Sequence, residues 1–132
     1  MNIAILEPDT SELDRTLQVL SSAGYLCFGT RSDDGLRRLL EEVSVNLFLV
    51  DWSQPDAKRY ETLRYLARRA FFPRIILLTS SQTSCRVINS GLECGAEVFL
   101  NKPLSEGESL APLHALTKNA AFSIAPHCGN IM

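Results

Sequence analysis

The chain has 132 residues, 45% of them apolar and 21% charged, with a formal net charge of −2. This length gives one domain, which buries roughly two-thirds of its unfolded surface and needs no staples to hold a core. The slight negative charge excludes a chain that grips nucleic acid by long-range attraction, and no apolar run approaches the roughly 18 residues of a membrane span. Met1-Asn2 leads straight into an apolar run with no basic segment, so a signal peptide is not expected and the cytoplasm is the expected compartment. Cys27, Cys85, Cys94 and Cys128 are scattered, with no C-x-x-C and no histidine at ligand spacing. They read as thiols in a reducing compartment.

Ile3-Ala4-Ile5-Leu6 is a short apolar run that ends on Glu7-Pro8-Asp9. Thr10 or Ser11 can cap a helix there, and Glu12 and Asp14 suit its positive end. Leu13, Leu17 and Leu20 recur at helical spacing until Gly24 stops the pattern. Tyr25 to Phe28 reads as a strand, and Ser32 caps a helix with Leu36, Leu39, Leu40 and Val43 on one face.

Asn46-Leu47-Phe48-Leu49-Val50-Asp51 follows. A continuous apolar run this short fits a strand buried on both faces. Its terminal Asp51 is either a turn or capping residue or the reactive carboxylate of a site. Trp52 to Ala57 is a loop, and Arg59 to Arg69 a helix with Leu63 and Leu66 inward and Arg64, Arg68 and Arg69 outward. After Pro73, Ile75-Ile76-Leu77-Leu78 is a fourth run, ending on Thr79-Ser80-Ser81. A polar helix is expected from about Ser81 to Ser90, then a turn over Gly91 to Ala96. Val98-Phe99-Leu100 is a fifth strand closed by Lys102-Pro103. Ser105 and Glu108 make a capping box for a last helix, which Pro112 should kink or delay. From Lys118 the helical pattern fades, so residues 1–119 read as the domain and 120–132 as a tail or the start of a linker.

Five strand-then-helix repeats indicate βαβ units and a parallel sheet with right-handed crossovers. In such a sheet the carboxyl ends of the strands lie along one edge, where ligands bind. Those ends carry Glu7 with Asp9 nearby, then Asp51, Thr79 and Lys102-Pro103. Carboxylates grouped this way suit Mg²⁺, and an amine and a hydroxyl suit phosphoryl oxygens. A carboxylate so placed can act as a nucleophile toward phosphorus.

With these residues in this order, the chain resembles receiver domains of two-component response regulators over about residues 2 to 119. The resemblance rests on Glu7-Pro8-Asp9, Asp51, Thr79-Ser80, Gly91 to Ala96 and Lys102-Pro103. It implies an α/β, flavodoxin-like, doubly wound sheet of five parallel strands in the order 2-1-3-4-5, with five helices. It implies that Asp51 accepts a phosphoryl group from a sensor histidine kinase, with Mg²⁺ required. Glu7, Asp51 and the main-chain carbonyl of Ser53 would hold the metal, with Asp9 a doubtful addition. Thr79, Ser80 and Lys102 would hold phosphoryl oxygens. Phe99 falls at the place of the switching aromatic and Pro103 at that of the cis proline. Such a module is a switch rather than a turnover enzyme, with slow self-dephosphorylation as side chemistry.

The chain departs from the family at three places. Pro8 stands where a second metal-binding acid is usual, so weakened Mg²⁺ binding and slower phosphorylation are expected, and a pseudo-receiver used only for docking or dimerisation is the alternative. Lys58-Arg59-Tyr60 replaces the usual glycine after Asp51. Pro112 and His114 replace arginines that pair across a dimer, which leaves a homodimer open without charge pairing to support it. Trp52 either shields Asp51 or packs on the next loop. His114 and His127 read as surface or core residues. An effector domain, such as one that binds DNA, is an expected continuation of the tail, while this domain itself is expected to contact neither nucleic acid nor membrane. An enzyme reading is weak, because neither G-x-G-x-x-G nor a P-loop is present.

Overall fold

The computed structural model describes residues 2–69, 74–105 and 110–118, with the side chains of 117 and 118 left aside. Five strands alternate with five helices: β1 (Asn2–Leu6), α1 (Thr10–Ser22), β2 (Leu26–Thr30), α2 (Asp33–Glu42), β3 (Leu47–Asp51), α3 (Ala57–Arg69), β4 (Arg74–Thr79), α4 (Cys85–Glu93), β5 (Val98–Asn101) and α5 (Ala111–Lys118). The sheet order is β2-β1-β3-β4-β5, and every pairing is parallel. The expected doubly wound α/β fold is the fold observed.

Side chains alternate between faces along each strand, and the apolar runs therefore feed two cores. Ile3, Ile5, Leu47, Leu49, Ile76 and Leu78 meet Leu13 and Leu20 of α1 and Leu113 and Leu116 of α5. Ala4, Leu6, Phe48, Val50, Ile75 and Leu77 meet Leu36 and Leu40 of α2 and Leu63 and Leu66 of α3. β3 is buried at all five positions, as its unbroken apolar run required. The edge strand β2 leaves Leu26 58% exposed.

Element ends differ from the sequence reading in several places. Asp9, rather than Thr10 or Ser11, caps α1, its side chain accepting from the Glu12 amide at 2.9 Å. β2 starts and ends later than Tyr25 to Phe28, because Tyr25 still satisfies the last turn of α1 by donating to the Leu20 carbonyl. α4 begins at Cys85 behind the N-cap Ser84 and runs through Gly91. The stretch after β4 is instead tied locally, the Ser80 amide donating to Thr83 Oγ1 at 3.0 Å. The turn into β5 falls on Gly95, at φ +128°, where a Cβ would stand 2.6 Å from that of Ala67. Pro112 sits at the second position of α5, where its missing amide costs nothing. Glu108 of the expected capping box, and residues 119–132, lie outside the described residues. Cys27 and Cys94 are free thiols.

Candidate functional site

The register of the sheet assembles the site. Asp51 pairs with Leu78, Thr79 pairs with Asn101, and Leu6 lies between Thr30 and Val50. The strand ends of β1, β3, β4 and β5 are thus level, and Glu7, Asp51, Thr79 and Lys102 stand on one edge. Glu7 is anchored by its amide, which donates to the Thr30 carbonyl at 2.9 Å. The amide of Lys102 donates to the Thr79 carbonyl at 2.7 Å, and Lys102–Pro103 is cis.

Lys102 Nζ bridges the two acids, donating to Glu7 Oε1 at 2.7 Å and to Asp51 Oδ1 at 2.9 Å. Glu7 is 2% exposed and Asp51 8%, so both charges are held largely away from water. Burial pushes Glu7 above its ordinary range, and the negative charge of Asp51 adds to this, against the opposing hydrogen bond from Lys102. Burial alone would depress Lys102; its hydrogen bonds to Glu7 and Asp51, with their charges, outweigh this and hold it protonated, above its usual range. Ser53 Oγ donates to Asp51 Oδ1 at 2.9 Å, and the Ser53 amide points at the same oxygen at 3.3 Å. One carboxylate oxygen of Asp51 therefore collects the donors of Lys102 and Ser53.

The other flank of Asp51 belongs to a residue the sequence reading passed over. Arg59 is buried, its Nη1 donating to the Asp51 carbonyl oxygen at 2.7 Å and lying 3.6 Å from Asp51 Oδ2. Its Nε and Nη2 reach Asp33 at 3.1 and 3.4 Å, and Thr62 Oγ1 donates to Asp33 at 2.6 Å. Burial would raise Asp33, but the Thr62 and Arg59 hydrogen bonds and the Arg59 charge bring it below the usual carboxylate range. The signal was present: Arg59, Thr62, Leu63 and Leu66 are all buried on α3, at the spacing of one helix face.

The remaining predicted residues sit as follows. Thr79 is fully buried and its hydroxyl donates to Asn101 Oδ1 at 2.7 Å, with the Leu100 carbonyl at 3.3 Å. Phe99 is half-buried against the α2–α3 core. A polar opening of about 340 Å³, lined by Ser53, Ser80, Lys102 and Pro103 among others, stands over the bridging lysine. Asp9 caps α1 and its amide points at Glu7 Oε2 at 3.3 Å. Trp52 is fully buried. Its indole N–H donates to the Val87 carbonyl at 2.8 Å, so it packs on α4 rather than lying across Asp51. His114 stacks on Tyr25 and is hydrogen-bonded to it.

The donors can be compared with what Mg²⁺ takes. Glu7 and Asp51 carry two carboxylates and the Ser53 carbonyl would add a third oxygen, donors of the right chemistry for an ion that keeps several waters. Pro8 adds none. Among the described residues no three of His, Cys, Asp and Glu are grouped to hold a metal.

A parallel sheet of this order, with a carboxylate closing its central strand and bridged by the lysine that follows the last strand, is a flavodoxin-like α/β domain with one polar edge. The chain belongs to the response regulator receiver domain family, whose profile matches residues 3–114. It is 34% identical to the transcriptional regulatory protein GltR of Pseudomonas aeruginosa over 90% of this chain and 50% of that protein. It is 31% identical to the TorCAD operon transcriptional regulatory protein TorR of Escherichia coli strain K12, over 98% of this chain and 61% of that protein. The chain thus spans between half and two-thirds of these relatives. Among solved structures it is similar to the receiver domain of the TMAO respiratory system response regulator TorR, with a TM-score of 0.74 at 30% identity, covering 88% of this chain and 95% of that one. The chemotaxis response regulator CheY4 of Vibrio cholerae shares the fold, with a TM-score of 0.75 at 18% identity over 87% of this chain and 97% of that one. Among the described residues no helix is long and apolar enough to cross a membrane.

Proposed function

We propose that this chain is the phosphoacceptor module of a phosphorelay, with Asp51 as the acceptor. The observation that carries the reading is the Asp51 carboxylate at the end of the central strand with Lys102 Nζ 2.9 Å from it. In the proposed step an oxygen of Asp51 attacks the phosphorus of a phosphohistidine on a sensor histidine kinase. The P–N bond breaks, its electron pair passes to the imidazole nitrogen, which takes up a proton, and an acyl phosphate remains on Asp51. Lys102, Thr79 and Ser80 hold the new phosphoryl oxygens, and burial strengthens those contacts. Glu7, Asp51 and the Ser53 carbonyl, with Asp9 as a further candidate, would hold Mg²⁺, which would supply charge neutralisation at the phosphoryl oxygens. Binding is weak because Pro8 brings no carboxylate.

Phosphorylation adds charge that draws Thr79 away from Asn101, and Phe99 follows into the vacated space beside Pro103, changing the surface that partners meet. Residues 1–119 form this cytoplasmic module, and 120–132 are a tail or the start of a linker to an effector domain. The relatives' names make transcription the output that such a domain would serve. Homodimerisation would be a further consequence of the switched surface. The second reading, a pseudo-receiver that docks without phosphorylation, is favoured by Pro8.

Labelling with phosphoramidate, followed by intact-mass measurement, separates the two. Uptake of one phosphoryl group that disappears in Asp51→Asn supports the acceptor. No uptake at any Mg²⁺ concentration, with the fold intact, leaves the docking module.

A further inference from the structure

The proposed phosphoryl chemistry gives Arg59 no task, yet its guanidinium donates to the Asp51 carbonyl at 2.7 Å and lies 3.6 Å from the acceptor carboxylate. Its side chain is 9% exposed. Asp33 and Thr62 orient the guanidinium from behind. The remaining donor, Nη1, is directed at the Asp51 carbonyl and stands beside Oδ2, while Lys102 and Ser53 occupy Oδ1. A cation therefore faces each oxygen of the acceptor carboxylate.

The charge balance around the acceptor points the same way. Glu7, Asp51 and Asp33 bring three negative charges against the two positive charges of Lys102 and Arg59, and Pro8 withholds a further acid. A guanidinium fork is rigid, always charged and readily carries a second carboxylate or phosphoryl partner. With the fork in place one net negative charge remains around the acceptor, too little to hold a divalent ion tightly.

We propose that Arg59, oriented by Asp33 and Thr62, is a built-in cation of the acceptor site that takes over part of the work of a divalent metal, lowers the site's affinity for Mg²⁺ and lets Asp51 take a phosphoryl group when Mg²⁺ is scarce. The inference rests on the phosphoacceptor reading for its last clause only. Arg59 is a positioning and charge-compensating residue, not a nucleophile.

The test uses the full chain and two readouts. Mg²⁺ is titrated against the wild type, Arg59→Met and the double variant Asp33→Asn with Arg59→Met, following the fluorescence of Trp52. The double variant removes both members of the buried pair, so that no unpaired charge is left to unfold the protein. Mg²⁺ is expected to bind about fivefold more tightly in Arg59→Met, and still more tightly than in the wild type, though by less, in the double variant, where loss of the Asp33 charge offsets part of the gain. Unchanged or weaker Mg²⁺ binding in the folded double variant overturns the inference.

Labelling by phosphoramidate in EDTA and in excess Mg²⁺ is the second readout. The wild type is expected to label in EDTA, and the double variant only with Mg²⁺. Labelling of the wild type that depends wholly on Mg²⁺ overturns the inference and leaves the acceptor reading standing. No labelling of either protein under either condition, with the Mg²⁺ affinity shifted as expected, overturns the acceptor reading and leaves the charge role of Arg59 standing.

Discussion

The indole N–H of Trp52 donates to the carbonyl of Val87 at 2.8 Å, tying the residue after Asp51 directly to α4. The link is braced on both sides. Tyr60 packs edge-on against Trp52 with ring centroids 4.7 Å apart, and its hydroxyl is 2.6 Å from Ser90 Oγ, which in turn donates to the Val87 carbonyl at 2.7 Å. On the other side, Gly91 lies so close that a Cβ would stand 2.9 Å from Trp52 Nε1 and 2.5 Å from Leu77 Cδ1.

Gly91→Ala should therefore destabilise the protein although alanine is the better helix former. The propensity gain is about 1 kcal/mol, and forcing a methyl against the buried indole costs about 1–3 kcal/mol. A net loss of about 1 kcal/mol in urea unfolding is expected, with a shift in Trp52 emission. A Gly91→Ala protein more stable than wild type would show that this contact is loose.

Glu7 carries its charge in a largely buried place. Its folded-state pKa is raised above 4.5, chiefly by burial. The native state then holds a proton that the unfolded chain has lost, so stability falls as pH rises from 4.5 through the folded value. Glu7→Gln should remove that slope and stabilise the protein at pH 7 by about 0.5–2 kcal/mol, as is common when a functional site is relaxed. Denaturant midpoints measured from pH 4 to pH 8 check it; a Gln variant less stable than wild type across that range refutes it. Lys102 has the opposite dependence. Its raised pKa contributes stability that is present below 10.5 and lost as pH rises through the folded value.

Asp33 behaves as the usual ion-paired acid. Its pKa is lowered from 3.8 by Thr62 and Arg59 against the pull of burial. Its stabilising contribution is present above 3.8 and is lost as pH falls through the folded value. Asp33→Asn should flatten the acid limb of the stability profile. At neutral pH it should cost roughly 3 kcal/mol, since Arg59 is left buried with only Asp51 for a partner. Adding Arg59→Met should restore part of that loss, a coupling that a double-mutant cycle measures.

Pro8→Asp should strengthen Mg²⁺ binding by about an order of magnitude, the expected effect of one added carboxylate ligand. The carbonyl of residue 8 already accepts from Arg31 Nε at 3.3 Å, a contact the substitution leaves in place. Titration followed at Trp52 measures the change. No gain would mean that Glu7 and Asp51 do not form the metal pocket.

The strands and their order of use could be read from the sequence alone. Ile3–Leu6, Leu47–Val50 and Ile75–Leu78 are apolar without interruption, and such runs are stable only when covered on both faces. That condition forces a sheet between two helical layers, and the sheet then carries Glu7, Asp51 and Lys102 to one edge. What the sequence could not decide was how groups far apart in the chain pair once they arrive. Arg59 turns inward because α2 presents Asp33 to α3, 26 residues away, and Thr79 faces Asn101 because the β4–β5 register sets them opposite. Even the ends of α1 and α4 depended on which hydroxyl or carboxylate reached the first free amides, Asp9 and Ser84 in the event. Apolar periodicity is a local property, written residue by residue. The pairing of buried charges depends on the relative placement of whole helices, and only the packed structure fixes that.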